Sequence, residues 1–405
     1  MFDDWITEDV HSVLLVEPNF PIPSKSRNHK NFLPIGLLKI AAYLRTKSIR
    51  VKLIRLDDDD LNLVDGLKLD DFKNLSDKLD DFQPDLICVT SIFTYWAKYV
   101  KNTVSYLRFK YKGIPILVGG IYASLMPNQC KEYTGCDEVI FGIVCGAEKV
   151  IPAYDLVDVD YQIIHTTRGC IRRCGGCGVY QIEPEWLCKK SIKDEIIMKK
   201  IIFYDNNILA NKYIENILNE LIELKKAGFK NPKIAWDGPY KSWKSIKKQI
   251  DILVDAGFNS KDISVFMLYN YDLDYDELES KRVKCFEWKV QITDCRFRPL
   301  DEIKDNYSPH KRNGQTNNDY FIHEKWTDAA IRKFRRNVRR NNICVRHDVD
   351  YHSSLLERKK IPQEKAKIFR ESNYEEVKDK LPDAWSPAIF HNVDEQDYFK
   401  YVGGT

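Results

Sequence analysis

The first clues in this 405-residue sequence are the things it lacks. It contains no apolar run long enough to span a bilayer, so a membrane protein is not expected. Its first residues, MFDDWITEDV, are acidic and lack the basic-then-apolar layout of a secretory leader, so a cytoplasmic location is expected. It shows no internal repeat and no low-complexity segment. The net charge is only +3, which argues neither for nor against nucleic acid, so any such case must rest on a local patch. With 43% hydrophobic and 30% charged residues, the composition is that of an ordinary globular protein long enough for two domains and a tail.

What is present is concentrated in one short run. The chain has eleven cysteines, and in a reducing compartment most should be buried thiols or metal ligands. Eight are scattered and read as small core residues. Cys170, Cys174 and Cys177 instead stand together in HTTRGCIRRCGGCGVY, with the spacing C-x3-C-x2-C. Thiolates bind soft or borderline metals, and a loop of three can present them to one centre. A structural zinc site needs four protein ligands, usually in paired knuckles. No second C-x2-C pair exists here, so His165 or Cys188 would have to complete it. A [4Fe–4S] cluster held by three cysteines would leave one iron open to a substrate or cofactor. Gly169, Gly175, Gly176 and Gly178 would let backbone N–H groups approach cluster sulfurs. The cluster is the preferred reading.

Elsewhere the chain alternates strand and helix patterns. Strands are expected at Ser12–Pro18, Val51–Leu56, Asp85–Phe93, Ile114–Gly120 and Glu138–Gly142, with a helical apolar face at Ile35–Ser48. The acidic run Asp57–Asp60 reads as a solvated loop. This rhythm predicts a parallel, doubly wound sheet whose ligand lies beyond the strands' carboxyl ends. Those ends carry small and hydroxyl residues, among them Ser91, Thr94, Gly119 and Gly120, which would let a large ligand approach the backbone. The rhythm restarts near Tyr161. Strands are expected at Tyr161–Thr167, Lys200–Asp205, Pro232–Asp237, Ile263–Leu268, Phe286–Ile292 and Asn342–His347. Between them lie helices such as Lys212–Gly228, which would end on a glycine cap. Six such units suggest a partial barrel with its chemistry at the strand C-terminal ends, and the cysteine run follows the first strand.

On these residues the chain resembles the radical S-adenosylmethionine (SAM) enzymes, in the subgroup that carries a cobalamin-binding domain ahead of the barrel. LPIGLLKIAAYLR, PDLICVTSIFT, IPILVGGIYAS and DEVIFGIVCGAE resemble that first domain, and TTRGC and FYDNNILAN resemble the core. The resemblance implies an α/β chain of three parts. Residues 1–158 would be a Rossmann-like (flavodoxin-like) B12-binding-type domain, 159–347 a partial (β/α)6 TIM-barrel core, and 348–405 a small extension. It implies that Cys170, Cys174 and Cys177 hold a [4Fe–4S] cluster whose open iron binds SAM, giving a 5′-deoxyadenosyl radical on one-electron cleavage. Ser91, Thr94, Gly119 and Gly120 would lie against cobalamin, and the reaction implied is C-methylation of an unknown substrate. An electron donor such as flavodoxin or ferredoxin and an anaerobic setting follow from the same chemistry.

Departures from the family pattern shift several roles. Gly176 stands where an aromatic residue usually precedes the third cysteine, which leaves adenine packing to Tyr180. The glycine-glycine-glutamate stretch that holds the SAM amino group is absent, and Asp205, Asn206 and Asn207 occupy its place. The first domain lacks D-x-H-x-x-G, although His29 lies in the loop after the first strand. Further along, Arg296 and Arg298 alternate and could clamp an anionic substrate, with Cys295 nearby as a candidate radical quencher. Arg332 to Arg340 surround an apolar stripe, read as the outer face of a barrel helix in preference to a nucleic-acid contact. Two alternatives stay open: a cobalamin-independent radical rearrangement or modification of a nucleotide or peptide, and a non-catalytic metal-bearing module that binds nucleic acid.

Overall fold

A computed structural model describes residues 2–23, 26–56, 82–223, 232–311, 313–348 and 351. The acidic run from Asp57, the helix cap expected at Gly228 and nearly all of the extension after Asp348 lie outside these residues. The chain divides into two compact units, Met1–Ala227 with Pro299–Asp305, and Gly228–Arg298 with Asn306–Thr405.

The first unit is built on a parallel sheet of β1 (Ser12–Glu17), β2 (Arg50–Arg55), β3 (Leu86–Ser91), β4 (Ile116–Gly120) and β5 (Glu138–Ile140), in the order β2-β1-β3-β4-β5. Every ladder in it is parallel. All six residues of β1 are buried, as expected for a central strand covered on both faces. Alternate side chains serve two cores. Leu14, Val16, Ile87, Val89 and Val118 pack with Val100, Val104 and Leu107 of helix Ala97–Lys110. Val13, Leu15, Leu86, Cys88 and Leu117 pack with Leu37, Ala41 and Leu44 of helix Ile35–Thr46. This is the doubly wound arrangement predicted from the sequence, and its strand order reverses between β1 and β3, where such folds open a crevice for ligand.

Four shorter strands follow in the same unit. β6 (Gln162–Ile164) pairs in parallel with β9 (Ile201–Phe203). β7 (Thr167–Arg168) pairs antiparallel with β8 (Leu187–Cys188), Thr167 facing Cys188 and Arg168 facing Leu187. That pair closes the base of the loop carrying the three cysteines.

The second unit holds a parallel sheet of β10 (Lys233–Ala235), β11 (Ser264–Tyr269) and β12 (Gln291–Arg296). Helices Trp243–Asp255, Tyr275–Glu287 and Asp328–His347 supply Ile246, Leu278 and Phe334 to its core. Two strand expectations are corrected here. Residues 342–347 are the last turns of the helix, because Ile331, Phe334, Val338, Cys344 and Val345 continue one buried helical stripe through them. The NICVRH run looks strand-like only in isolation. The expected strand Phe286–Ile292 is displaced: the preceding helix runs on to Glu287, Lys289 turns the chain at φ +57°, and the strand starts at Gln291. Among the described residues, the barrel part therefore contains the parallel pair β6–β9 and the parallel triplet β10–β12. Thr327 caps the long helix, accepting a hydrogen bond from the Ala330 N–H at 3.2 Å. No helix of the described residues is long and apolar enough to cross a membrane.

Gly120 shows how tightly the sheet's carboxyl edge is built. Its φ is +100°, and a Cβ there would lie 2.1 Å from the Ser91 carbonyl oxygen. Gly120→Ala should cost about 3–5 kcal/mol, at the upper end for a single substitution. Gly113→Ala, also left-handed at φ +79° but with nothing within 4 Å, should cost only about 1–2 kcal/mol. Urea denaturation followed by circular dichroism compares the two, and equal losses would contradict this account.

Candidate active site

The cysteine loop is held from below by one carboxylate. Asp205, just past β9, accepts from both hydroxyls and both backbone N–H groups of Thr166 and Thr167, at 2.5–3.2 Å. Asn211 adds a hydrogen bond from its side-chain amide to the Thr166 carbonyl at 3.1 Å. Asp205 is thus a clamp on the turn between β6 and β7, and its oxygens are already occupied by four donors. Asn206 is exposed and its amide reaches the Gly169 carbonyl at 3.3 Å, while Asn207 is half-buried beside it.

The next residues are fixed by charge. Arg168 bridges Glu183 at 3.0 Å and Glu148 at 3.3 Å, and Glu148 also pairs with the largely buried Lys39 at 2.8 Å. Glu183 accepts in addition from the Gly169 N–H at 2.7 Å. Gly169 sits at φ +74°, and a Cβ would fall 2.3 Å from the Glu185 carbonyl oxygen, so only glycine lets the chain pass here. His165, directly before this stretch, is 8% exposed. Burial, with Lys39, Arg168 and Lys189 nearby, pushes its pKa down to about 2, so the imidazole is neutral.

Beyond the clamp the loop is open. Cys174 is exposed, and Cys170 and Cys177 are half-buried; none of the three is in a disulfide. The Arg172 N–H points at the Cys170 sulfur at 3.4 Å, and the Cys177 N–H donates to the Cys174 carbonyl at 3.2 Å, turning the chain between the second and third cysteines. Gly176 takes φ +74° in that turn. Among the described residues, no three His, Cys, Asp or Glu side chains converge on a point where one ion would sit. Three accessible thiols on a glycine-rich loop, with Arg172 and Arg173 alongside, suit a larger anionic cluster that spaces its thiolate ligands apart. The donor set therefore fits a [4Fe–4S] cluster.

This loop lies against the carboxyl edge of the five-stranded sheet. A Cβ on Gly142, just past β5, would lie 3.0 Å from the Ile182 carbonyl oxygen, and one on Gly178 would lie 3.0 Å from Leu125. Tyr180, the expected adenine partner, is half-buried in the short helix Val179–Ile182 at this junction. Ser91 and Thr94 behave differently from expectation. The Ser91 hydroxyl donates to the Gly119 carbonyl at 2.7 Å and accepts from the Ala123 N–H at 3.0 Å. The Thr94 hydroxyl donates to the Glu302 carbonyl at 2.7 Å. Both are committed to the backbone, leaving Gly119 and Gly120 as the half-exposed floor at the end of β4. His29 is exposed, and its Nδ1 accepts from the Asn31 N–H at 3.3 Å in a local turn.

The candidates in the second unit separate. Arg296 is 5% exposed, its guanidinium 4.6 Å from the Tyr307 ring centroid and 4.8 Å from that of Tyr320. It is a core cation between two rings, not one jaw of an exposed clamp with Arg298. Cys295 is half-buried on the opposite side of β12, and burial pushes its thiol up. Arg332 is bound to Asp328, the Lys311 carbonyl and Gln315 at 2.7–2.8 Å. Reading the sequence did not single out Glu148, Lys39 or Glu183. The only signal for them was their place in, or beside, the runs that resemble the family.

Two outcomes test this geometry. Asp205→Ala should lower the iron and sulfide bound after anaerobic reconstitution several-fold, because it frees the turn that starts the loop. Asp205→Asn, which keeps one acceptor oxygen, should fall between that variant and wild type. For His165 the unfolded chain binds a proton below about pH 6.5 while the folded chain does not. Stability should therefore fall as pH drops below 6.5, by about 1.4 kcal/mol per pH unit from this residue. Urea midpoints between pH 6.5 and 5 should show a shallower slope in His165→Gln.

Comparison with known proteins bears on the same two regions. Residues 30–148 match the family model described as the B12 binding domain. No curated protein matches the chain. Among solved structures it is similar to the radical SAM methyltransferase TsrM from Kitasatospora setae, in two forms. The form with tryptophan substrate and the SAM analogue aza-SAM bound is 13% identical over 72% of this chain and 73% of that one, with a TM-score of 0.52. The form with cobalamin and a [4Fe-4S] cluster bound is 13% identical over 72% and 77%, with a TM-score of 0.52. Residues 30–148 are therefore a B12-binding-type domain, and the chain shares its α/β fold with a radical SAM methyltransferase.

Proposed function

We propose that this chain is a radical SAM enzyme that transfers a methyl group to carbon with the help of cobalamin. The observation that carries the reading is the junction itself: a C-x3-C-x2-C loop at the end of a parallel strand, packed against the carboxyl edge of a B12-binding-type sheet. The bound state of TsrM, with cobalamin and a [4Fe-4S] cluster, supports bringing both cofactors to one site. The expected parts, 1–158, 159–347 and 348–405, are the working division of labour.

When bound, the cluster supplies the electron that cleaves SAM, and cobalamin supplies a methyl carrier. The chain's own residues do the rest. Cys170, Cys174 and Cys177 hold the cluster, and Asp205 keeps the loop's base in place. Asn206, Asn207 and Tyr180 flank SAM. Gly119 and Gly120 give cobalamin close access to backbone, with Ser91 and Thr94 fixing that edge from behind. His29 is turned into its own loop, so this reading does not depend on it as a cobalt ligand. A flavodoxin or ferredoxin would deliver the electron, in an anaerobic cytoplasm.

The test is anaerobic reconstitution with iron and sulfide, then SAM and a strong reductant, with and without hydroxocobalamin. Mass spectrometry should find 5′-deoxyadenosine or S-adenosylhomocysteine from wild type and neither from Cys174→Ala. S-adenosylhomocysteine that appears only with cobalamin would establish methyl transfer. Neither product from a protein with a full cluster would count against the proposal and favour a non-catalytic module.

A further inference from the structure

Two further cysteines of the first unit meet outside the cysteine loop. Cys130 lies in the helix Pro127–Thr134, and Cys136 lies two residues past its end. Gly135 turns the chain between them at φ +73°, its N–H closing on the Lys131 carbonyl at 3.0 Å. The Thr134 hydroxyl ties the two positions together. It donates to the Cys130 carbonyl at 2.7 Å and accepts from the Cys136 N–H at 3.4 Å. The next N–H, of Asp137, joins the Ile116 carbonyl at 2.9 Å, so the chain passes directly into β5. Held in this way the two side chains touch, and the Cys130 thiol donates a hydrogen bond to the Cys136 sulfur.

Both belong to the core that packs the sheet against helix Ala97–Lys110, Cys130 fully buried and Cys136 5% exposed. Burial alone raises a thiol and leaves it inert, as for Cys88, pushed up to about 12. Contact reverses this at Cys136. The hydrogen bond from Cys130 holds its thiol below the ordinary value, and the Thr134 hydroxyl and the Lys131 charge act in the same direction. Gly135 and Asp137, on either side of Cys136, are exposed. A solute of a few atoms therefore meets Cys136 first, with Cys130 behind it.

We propose that Cys130 and Cys136 are a peroxide-sensitive pair that closes to a reversible disulfide. The Cys136 thiolate attacks one oxygen of hydrogen peroxide, an S–O bond forming as the O–O bond breaks. The hydroxide released takes up a proton and becomes water. The Cys130 sulfur then displaces the remaining oxygen from Cys136, and that oxygen leaves as a second water with the Cys130 proton. Two thiols are oxidised and one peroxide is reduced. Sulfurs already in contact need little backbone movement to join, and a dithiol reverses the step. The bond would tie the edge strand β5 to the helix before it. The pair involves neither the cysteine loop nor SAM, so it stands or falls apart from the function proposed above.

Trypsin cuts after Lys131, between the two cysteines, so the disulfide would join peptide 113–131 to peptide 132–149. The full chain, with its cluster reconstituted, is treated with equimolar hydrogen peroxide in the absence of oxygen. Remaining thiols are blocked with N-ethylmaleimide in urea, and the digest is read by mass spectrometry without reductant. Most of peptide 113–131 should appear linked to 132–149, and dithiothreitol should release it. Peptide 132–149 also holds Cys145, so Cys145→Ser should keep the link and Cys136→Ser should lose it. In Cys130→Ser, dimedone should label Cys136, whose oxidised sulfur has lost its partner. Circular dichroism checks the fold of each variant, and the linked peptides of wild type decide the matter where a variant fails to fold. Recovery of 113–131 mainly as its maleimide adduct, as an oxidised acid or linked elsewhere overturns the proposal, as does a link that survives Cys136→Ser.

Discussion

The first unit depends on Arg168 lying between two carboxylates. Glu148 comes from the end of the B12-binding-type segment and Glu183 from within the cysteine loop, so one guanidinium joins the sheet to the loop. All three side chains are largely buried. Ion pairs in that setting gain little over apolar packing, but an unpaired member is costly. What the arrangement gives is register. Glu148 keeps Lys39 as a second partner, but Arg168 cannot leave Glu183 without stranding that carboxylate's charge, so the thiol loop keeps one position relative to the sheet edge.

Small residues allow the approach that the ion pairs fix. Gly120, Gly142, Gly169 and Gly178 each stand where a Cβ would meet a neighbour at 3.0 Å or less, three of them meeting backbone. They mark the carboxyl edge of the sheet and the ends of the loop, the two surfaces that meet. Hydroxyls and amides then take up what the close contact leaves over. Ser91, Thr94 and Asn211 all donate to carbonyl oxygens. Polar residues at this edge serve the backbone first.

Much of this was legible in the sequence, for physical reasons that differ by region. The doubly wound sheet was readable because strands buried on both faces are continuous apolar runs between turn signals. The cysteine loop stood out as a candidate metal site because three thiols so closely spaced on a glycine-rich run can serve one shared centre. The last expected strand was misread where a short β-branched run, Asn342–His347, was taken out of its helical stripe. Side-chain roles were read least well. Asp205 and Arg296 have the chemistry of ligand-binding residues, but hydrogen bonds to Thr166 and Thr167, and the rings of Tyr307 and Tyr320, claim them. Such commitments depend on residues dozens of positions away or on ordinary neighbours, and no local pattern announces them.

The antiparallel pair of β7 and β8 has a consequence for how the protein is made. It brings Arg168 and Leu187 side by side without any contribution from the three clustered cysteines, so the ends of the loop are already joined by backbone hydrogen bonds. The entropy of closing that loop is lost during folding. On the proposed function, cluster assembly would then take place on an already folded scaffold, from the side where Cys174 is exposed.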